Sequence, residues 1–191
     1  MAYSIEVNLP YEKKASRVAL FARFLVVMAF CFPMMFWMIP VYVALFIQWW
    51  VILFTGKKSE KLYRFLSHIF VFCIKLDAYY YLLTDQIPSG EGECDPKTKF
   101  PLTMDFKFKA PDSRLQLFLR AITMFWYSLV LGVWGIWAMI ILFLQWWCIL
   151  FTARRNESFN RYLLNYFKFD VRVSAYLMLF DWKMPSLGKD K

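Results

Sequence analysis

Two stretches of this chain, Phe24 to Thr55 and Ala121 to Ala153, contain no Asp, Glu, Lys, Arg or His. Each is about 32 residues long, well past the ~20 that a helix needs to cross the hydrocarbon core of a bilayer. A soluble domain cannot hide two such runs, and leaving them in water would create a large sticky surface. The composition agrees, at 60% hydrophobic, 21% aromatic and 19% charged. Average soluble chains are about half apolar and a quarter charged. The sequence therefore reads as a mainly α, integral membrane protein.

The net charge of +9 is gathered at the borders of the runs. Lys13, Lys14, Arg17 and Arg23 precede the first, and Lys57, Lys58, Lys61 and Arg64 follow it. Arg114 and Arg120 precede the second, and Arg154, Arg155 and Arg161 follow it. Basic residues fastened to apolar segments mark the cytoplasmic face of a membrane and attract anionic headgroups. A nucleic-acid surface has no reason to be built this way, so no nucleic-acid partner is expected. The first run is too long for the apolar core of a signal peptide, and no small-residue cleavage site follows it. Cys31, Cys73, Cys94 and Cys148 form no CxxC pair and do not recur between the halves, so free thiols are expected.

The chain repeats itself. Gln48-Trp-Trp-Val-Ile-Leu-Phe-Thr55 returns as Gln145-Trp-Trp-Cys-Ile-Leu-Phe-Thr152, an offset of 97 residues. The offset holds without a gap for Ser16, Arg17, Arg23, Trp37, Glu60, Arg64, Tyr79 and Pro88, which meet Ser113, Arg114, Arg120, Trp134, Glu157, Arg161, Tyr176 and Pro185. Hydrophobic bias alone does not align Arg, Glu and Pro, so the chain is a tandem duplication. Its parts are a first membrane repeat at 1–88, a polar linker at 89–99, a second repeat at 100–185 and a tail at 186–191.

Each copy has three segments. The first alternates: Tyr3, Ile5, Val7 and Leu9 with polar partners, then Leu102, Met104, Phe106 and Phe108 likewise, which predicts a short half-buried strand per copy. The second is the apolar run, ~48 Å long as one straight helix and too long for a ~30 Å core. Pro33 and Pro40 in one copy, and Gly132 and Gly135 in the other, are helix-disrupting. They predict either a bent helix that crosses once or a helical hairpin that enters and leaves on one face. The hairpin is preferred because it keeps both strands, the linker and the basic flanks on one side. The third is amphipathic: behind Ser59, a candidate N-cap, Leu62, Phe65, Leu66, Ile69, Phe72, Leu76 and Tyr79 recur at helical spacing, with charges between them. That pattern suits an interfacial helix.

At Ile52-Leu-Phe-Thr-Gly-Lys-Lys58, Ala78-Tyr-Tyr-Tyr-Leu-Leu-Thr-Asp85 and Pro88, with Arg17 and Phe32-Pro33 upstream, the sequence resembles the prokaryotic family catalogued as domain of unknown function 4389. The second copy departs from it, with Ala153 in place of Gly56 and Phe180-Asp181-Trp182 in place of Leu83-Thr84-Asp85. The resemblance covers nearly the whole chain, twice. It implies a bacterial membrane setting, here the inner membrane, and no particular activity.

The candidate sites are few. Gln48, Trp49, Trp50, Gln145, Trp146 and Trp147 are candidates for repeat-interface or lipid contact. The Trp residues suit an aromatic belt. Gln48 lies about 10 Å inside the boundary, where an unpaired amide is costly, and a Gln48–Gln145 bond across the interface would satisfy both. A lipid headgroup or a quinone is the other reading. Arg17, Arg23, Lys57, Lys58, Arg114, Arg120, Arg154 and Arg155 are candidate headgroup contacts. His68, the lone histidine, reads as an interfacial side chain, and Glu91, Glu93 and Asp95 as a solvated loop. Lys75 with Asp77, and Asp170 with Arg172, do not face each other on a helix and read as polar edges. No catalytic, cofactor or metal residues are expected. The reading is a non-enzymatic accessory or scaffold subunit of a bacterial inner-membrane assembly, with lipids and other membrane subunits as partners. The alternative is a lipid-handling or small-molecule transporter component with a polar site between the repeats.

Overall fold

The computed structural model describes residues 9–88 and 114–180, and the side chains of 114–116 and 121 lie outside that description. Among the described residues four helices follow one another: α1 (Arg17–Thr55), α2 (Glu60–Tyr80), α3 (Arg114–Thr152) and α4 (Glu157–Leu177). Both expected alternating stretches lie outside the described residues except for Leu9. Among the described residues the β pairing is a single antiparallel bridge between Lys14 and Arg154.

α1 and α3 are each one uninterrupted helix of 39 residues. The helical hairpin preferred from sequence is therefore wrong. Pro33 and Pro40 lie inside α1 without ending it. An interior Pro costs about 3 kcal/mol, but a break would leave up to four orphan N–H and four orphan C=O groups. Each backbone bond left unmade has its own cost, and the continuous helix keeps all but those that proline removes.

The ends of the helices repeat with the sequence. Gly56, at φ 68°, closes α1 with its N–H on the carbonyl of Ile52 at 2.8 Å, and Ala153, at φ 53°, closes α3 in the same way on Ile149. Ser59 is the N-cap residue of α2, as expected, although its hydroxyl makes no capping bond. Asn156 caps α4 by accepting from the N–H of Ser158 at 3.0 Å. Leu82 and Leu179, at φ 62° and 67°, turn the chain back after α2 and α4.

Within each repeat the two helices run antiparallel with a seven-residue register. In the first, the Arg23 guanidinium lies over the Tyr79 ring at 4.3 Å, Phe30 meets Phe72 at 5.6 Å, and Trp37 faces Phe65 across a cleft. In the second, Arg120 lies over Tyr176 at 4.7 Å, Tyr127 meets Phe169 at 6.5 Å, and Trp134 meets Tyr162 at 6.4 Å. A contact every seven residues is the seam of two helices packed at a shallow angle.

The repeats are inverted relative to one another. Phe21, near the start of α1, packs on Trp146, near the end of α3, and Trp49, near the end of α1, packs on Phe118, near the start of α3. Both centroid distances are 6.1 Å. Thus α1 and α3 are antiparallel, and a pseudo-two-fold axis relates the halves.

α2 and α4 meet over the core. Leu66, Phe70, Ile74, Leu163, Phe167 and Val171 are buried there, with Phe180 at 5.1 Å from Phe70 and Tyr81 at 5.6 Å from Tyr166. Burying each such large side chain is worth ~1.5–3 kcal/mol. Ala44, Ala78, Ala138 and Ala175 are also buried, and their small side chains let the four backbones approach.

The outer faces of the two layers differ. On α1, Phe24, Met28, Phe32, Met35, Ile39, Val43, Phe46, Trp50 and Phe54 are all exposed, at a spacing of three and four residues. Phe125, Leu129, Ile136, Ile140, Phe143, Trp147 and Phe151 continue the pattern on α3. That spacing is one continuous stripe on each helix. The outer faces of α2 and α4 instead carry the exposed pairs Glu60–Arg64, at 2.5 Å, and Glu157–Arg161, at 2.9 Å.

Candidate functional site

Among the described residues, a dense polar cluster surrounds Asp85, which follows the left-handed turn at the end of α2. Its Oδ1 accepts from Nη2 of Arg23 at 2.9 Å and from Nη2 of Arg155 at 2.5 Å, and its Oδ2 accepts from the N–H of Ser16 at 3.0 Å. Arg23 also donates to the carbonyls of Tyr79 and Thr84. Arg155 donates to the carbonyls of Leu82 at 2.9 Å, Glu12 at 2.8 Å and Lys14 at 3.1 Å. The backbone joins in, with the N–H of Arg155 on Lys13 and that of Ala15 on Ala153. One carboxylate therefore ties the start of α1, the tail of α2 and the α3–α4 turn together.

The cluster fastens the two repeats to each other. The Arg155 side chain is 0% exposed and spends its donors on backbone carbonyls and on Asp85, with the Glu12 carboxylate 3.6 Å away, while Arg23 commits both terminal nitrogens and leaves its buried Nε without a partner. A buried guanidinium is tolerated when its donors are filled, as those of Arg155 are. In the second repeat Arg120 donates to the Tyr176 carbonyl at 2.7 Å, while the position matching Asp85 is Trp182, outside the described residues. The mate of Arg155 is Lys58, itself buried.

This corrects the headgroup assignment. Arg23, Lys58, Arg120 and Arg155 are at most 6% exposed and cannot reach a lipid surface. Arg17, Lys57 and Arg154 are exposed, and Arg17 also donates to the Phe151 carbonyl at 3.0 Å. The side chain of Arg114 lies outside the described residues.

The glutamine pairing is corrected too. Gln48 and Gln145 are buried at 2% and 0% exposure, but the inversion sets them at opposite ends of the α1–α3 pair. Gln145 Oε1 accepts from the N–H of Asn156 at 3.3 Å, and Gln48 Oε1 and Gln145 Nε2 have no hydrogen-bond partner. The neighbouring tryptophans divide the two roles between them. Trp49 and Trp146 make the contacts between repeats, while Trp50 and Trp147 face outward, stacked on Phe54 and Phe151.

The mid-helix charges of α2 and α4 divide, with Asp77, Asp170 and Arg172 only half-buried. Lys75 is fully buried. Burial pushes the Asp77 carboxyl up to about 7, with the charge of Asp170 adding to it, and burial takes Asp170 up to about 6. The charge of Asp170 is thus felt at Asp77 across the two repeats, a relation their sequence positions do not share. Cys31, Cys73 and Cys148 are free thiols. Glu91, Glu93, Asp95 and Cys94 lie outside the described residues. Among the described residues, no three His, Cys, Asp or Glu side chains gather as metal ligands.

A cleft of about 560 Å³ opens between α1 and α2, lined by Phe30, Pro33 and Trp37 on one side and Phe65, His68 and Ile69 on the other. Sequence reading missed it, because His68 looked solitary until α1 was laid beside it. Its place in the second repeat is filled, since Trp134 packs on Tyr162, Tyr166 and Phe169.

Fold and site together define a two-repeat helical protein with a structural polar fastening and two helices long and apolar enough to cross a membrane. The profile of the family described as "Domain of unknown function (DUF4389)" matches residues 17–90 and again 114–186. The chain belongs to that family, in two tandem copies. No curated protein and no solved structure matches it.

Proposed function

We propose that this chain is a leaflet-embedded, non-enzymatic scaffold subunit of a bacterial inner-membrane assembly. The observation that carries the reading is the apolar stripe running the length of α1 and α3. Each helix is ~58 Å long at 1.5 Å per residue, about twice the hydrocarbon thickness. The inversion adds a second argument. The first repeat ends beside the start of α1, through Asp85 and Ser16, and the second starts beside the end of α1, through Leu117 and Ile52. Residues 89–113, which join those two ends, include Glu91, Glu93, Asp95, Lys97, Lys99 and Asp105. A segment so charged does not lie across hydrocarbon. Both ends of α1 therefore meet water on one side. The two long helices lie flat or arched within one leaflet, stripe to the lipid, with the ion-paired faces of α2 and α4 toward water.

A single-leaflet protein offers no path across the membrane, which weighs against a transporter, and the Asp85 cluster is engaged in holding the repeats together. What remains is a rigid, lipid-set platform on which other subunits can assemble.

The test places single cysteines at Lys14 and at Lys57 in a background free of the native cysteines. A membrane-impermeant maleimide should label both from the same side of sealed vesicles. Labelling from opposite sides would overturn the leaflet reading. Isolation from native membrane should recover a stoichiometric protein partner, and recovery of lipid alone would overturn the scaffold role.

A further inference from the structure

We propose that the cleft between α1 and α2 holds one acyl chain of an anionic membrane lipid, with the headgroup at His68 and the basic residues Lys61 and Arg64 beside it. This rests on the membrane reading and goes beyond it, because it singles out one repeat as a lipid site rather than a generic lipid-facing surface.

The shape argues for a ligand. At about 560 Å³ the cleft falls within the range of small-molecule sites, roughly 300–1,000 Å³. Its walls are aromatic and aliphatic, and His68 is the polar side chain among them. An apolar slot with one polar group fits an amphiphile whose tail does most of the binding.

The second repeat explains why the slot exists. There Tyr166 reaches across to Gly135, so closely that a Cβ on Gly135 would sit 3.1 Å from the Tyr166 hydroxyl. Trp134 closes over Tyr162, Tyr166 and Phe169 with ring centroids 6.4, 5.8 and 5.3 Å away. In the first repeat Ile69 stands in place of Tyr166 and Met38 in place of Gly135. The filler is gone, and Trp37 is left 53% exposed. The same backbone plan thus gives a packed seam in one copy and an open one in the other.

Charge selects the head. Lys61, Arg64 and His68 recur at three and four residues on α2, which puts them on one face. Lys61 and Arg64 are exposed, and Glu60 engages one nitrogen of Arg64. This basic strip leads from the water-facing side of α2 to the mouth of the cleft, and a phosphate headgroup is its complement.

The experiment uses the full chain in phosphatidylcholine vesicles doped with a phosphatidylglycerol that carries a diazirine near its tail end. Cross-linked peptides are read by mass spectrometry. Adducts should concentrate on the peptides of Phe30–Trp37 and Phe65–Phe72. The peptides of Tyr127–Trp134 and Tyr162–Phe169 serve as a control within the same molecule and should carry roughly tenfold fewer, equivalent to about 1.4 kcal/mol of preference. Equal labelling of the two repeats overturns the cleft site while leaving the membrane reading intact. Absence of adducts on the outward stripe at Phe46 and Phe54 overturns the membrane reading itself. A double change that grafts the second repeat's filler, Met38→Gly with Ile69→Tyr, should abolish cleft adducts and spare those on the stripe. Cleft adducts that survive the graft count against the site. A diazirine phosphatidylcholine probe should label the cleft less than the phosphatidylglycerol, and parity between them would overturn the anionic headgroup.

Discussion

Arg155, in the turn between α3 and α4, and Asp85, in the tail of α2, meet at 2.5 Å although they belong to different repeats. The sharing of Asp85 with Arg23 makes the contact a three-way lock. Replacing Asp85 by Ala strands two buried guanidiniums, and breaking a buried pair on one side costs ~3–5 kcal/mol. Asp85→Ala should therefore lower the thermal midpoint of the detergent-solubilised protein more than any exposed charge change, such as Glu60→Ala. Replacing Arg155 and Asp85 together, by Met and Leu, should cost less than the sum of the two single changes. Additive losses would mean that the two do not act as a unit.

Ala153 adopts the left-handed conformation that Gly56 adopts in the first copy. For a residue with a Cβ this costs roughly 1–2 kcal/mol, and glycine removes it. Ala153→Gly should raise stability by ~0.5–1 kcal/mol, and Gly56→Ala should lower it by a similar amount. Equilibrium unfolding of the two variants side by side tests both signs.

The family, the duplication and the four helical segments were legible in the sequence because each depends on local pattern. The repeat offset aligned Arg23 with Arg120 and Tyr79 with Tyr176, and those pairs do make matching contacts. What the pattern did not carry was the inversion. Sequence offset treats the copies as translated, so Gln48 and Gln145 looked like partners, and basic residues beside an apolar run looked like surface. Only the antiparallel packing of α1 on α3 reveals that Arg155 points inward to Asp85, and that the charge of Asp170 acts on Asp77. Pro33 misled for a related reason. Its local preference to break a helix is outweighed by the backbone groups that a break would leave unpaired.

Asp77 and Asp170 predict how stability follows pH. Both carboxyls have folded values, about 7 and about 6, above their ordinary 3.8. Between pH 4 and 7 the folded chain therefore holds protons that the unfolded chain has released, and stability falls as pH rises, by at most ~1.4 kcal/mol per unit for each proton held. The protein should melt higher at pH 5 than at pH 8. Asp77→Asn should flatten most of that slope. A slope unchanged by Asp77→Asn would assign it to other groups.

The two buried glutamines give the sharpest check on the inverted arrangement. With Gln48 by the end of α1 that touches Phe118, and Gln145 by the end of α3 that touches Phe21, roughly 40 Å of helix separates them. Gln145 Oε1 accepts from the capping residue of α4, so Gln145→Leu should lose about 1 kcal/mol, the net value of one such bond. The buried Oε1 of Gln48 has no partner, and replacing an unpartnered polar group with an apolar one is nearly neutral or stabilising. Gln48→Leu should leave the melting temperature unchanged or raise it. Sites this far apart add within ~0.5 kcal/mol, so the double variant should show the sum of the two effects. A coupling of ~1 kcal/mol or more would mean that the amides touch, as parallel rather than inverted repeats would allow, and the antiparallel packing of α1 and α3 would have to be abandoned.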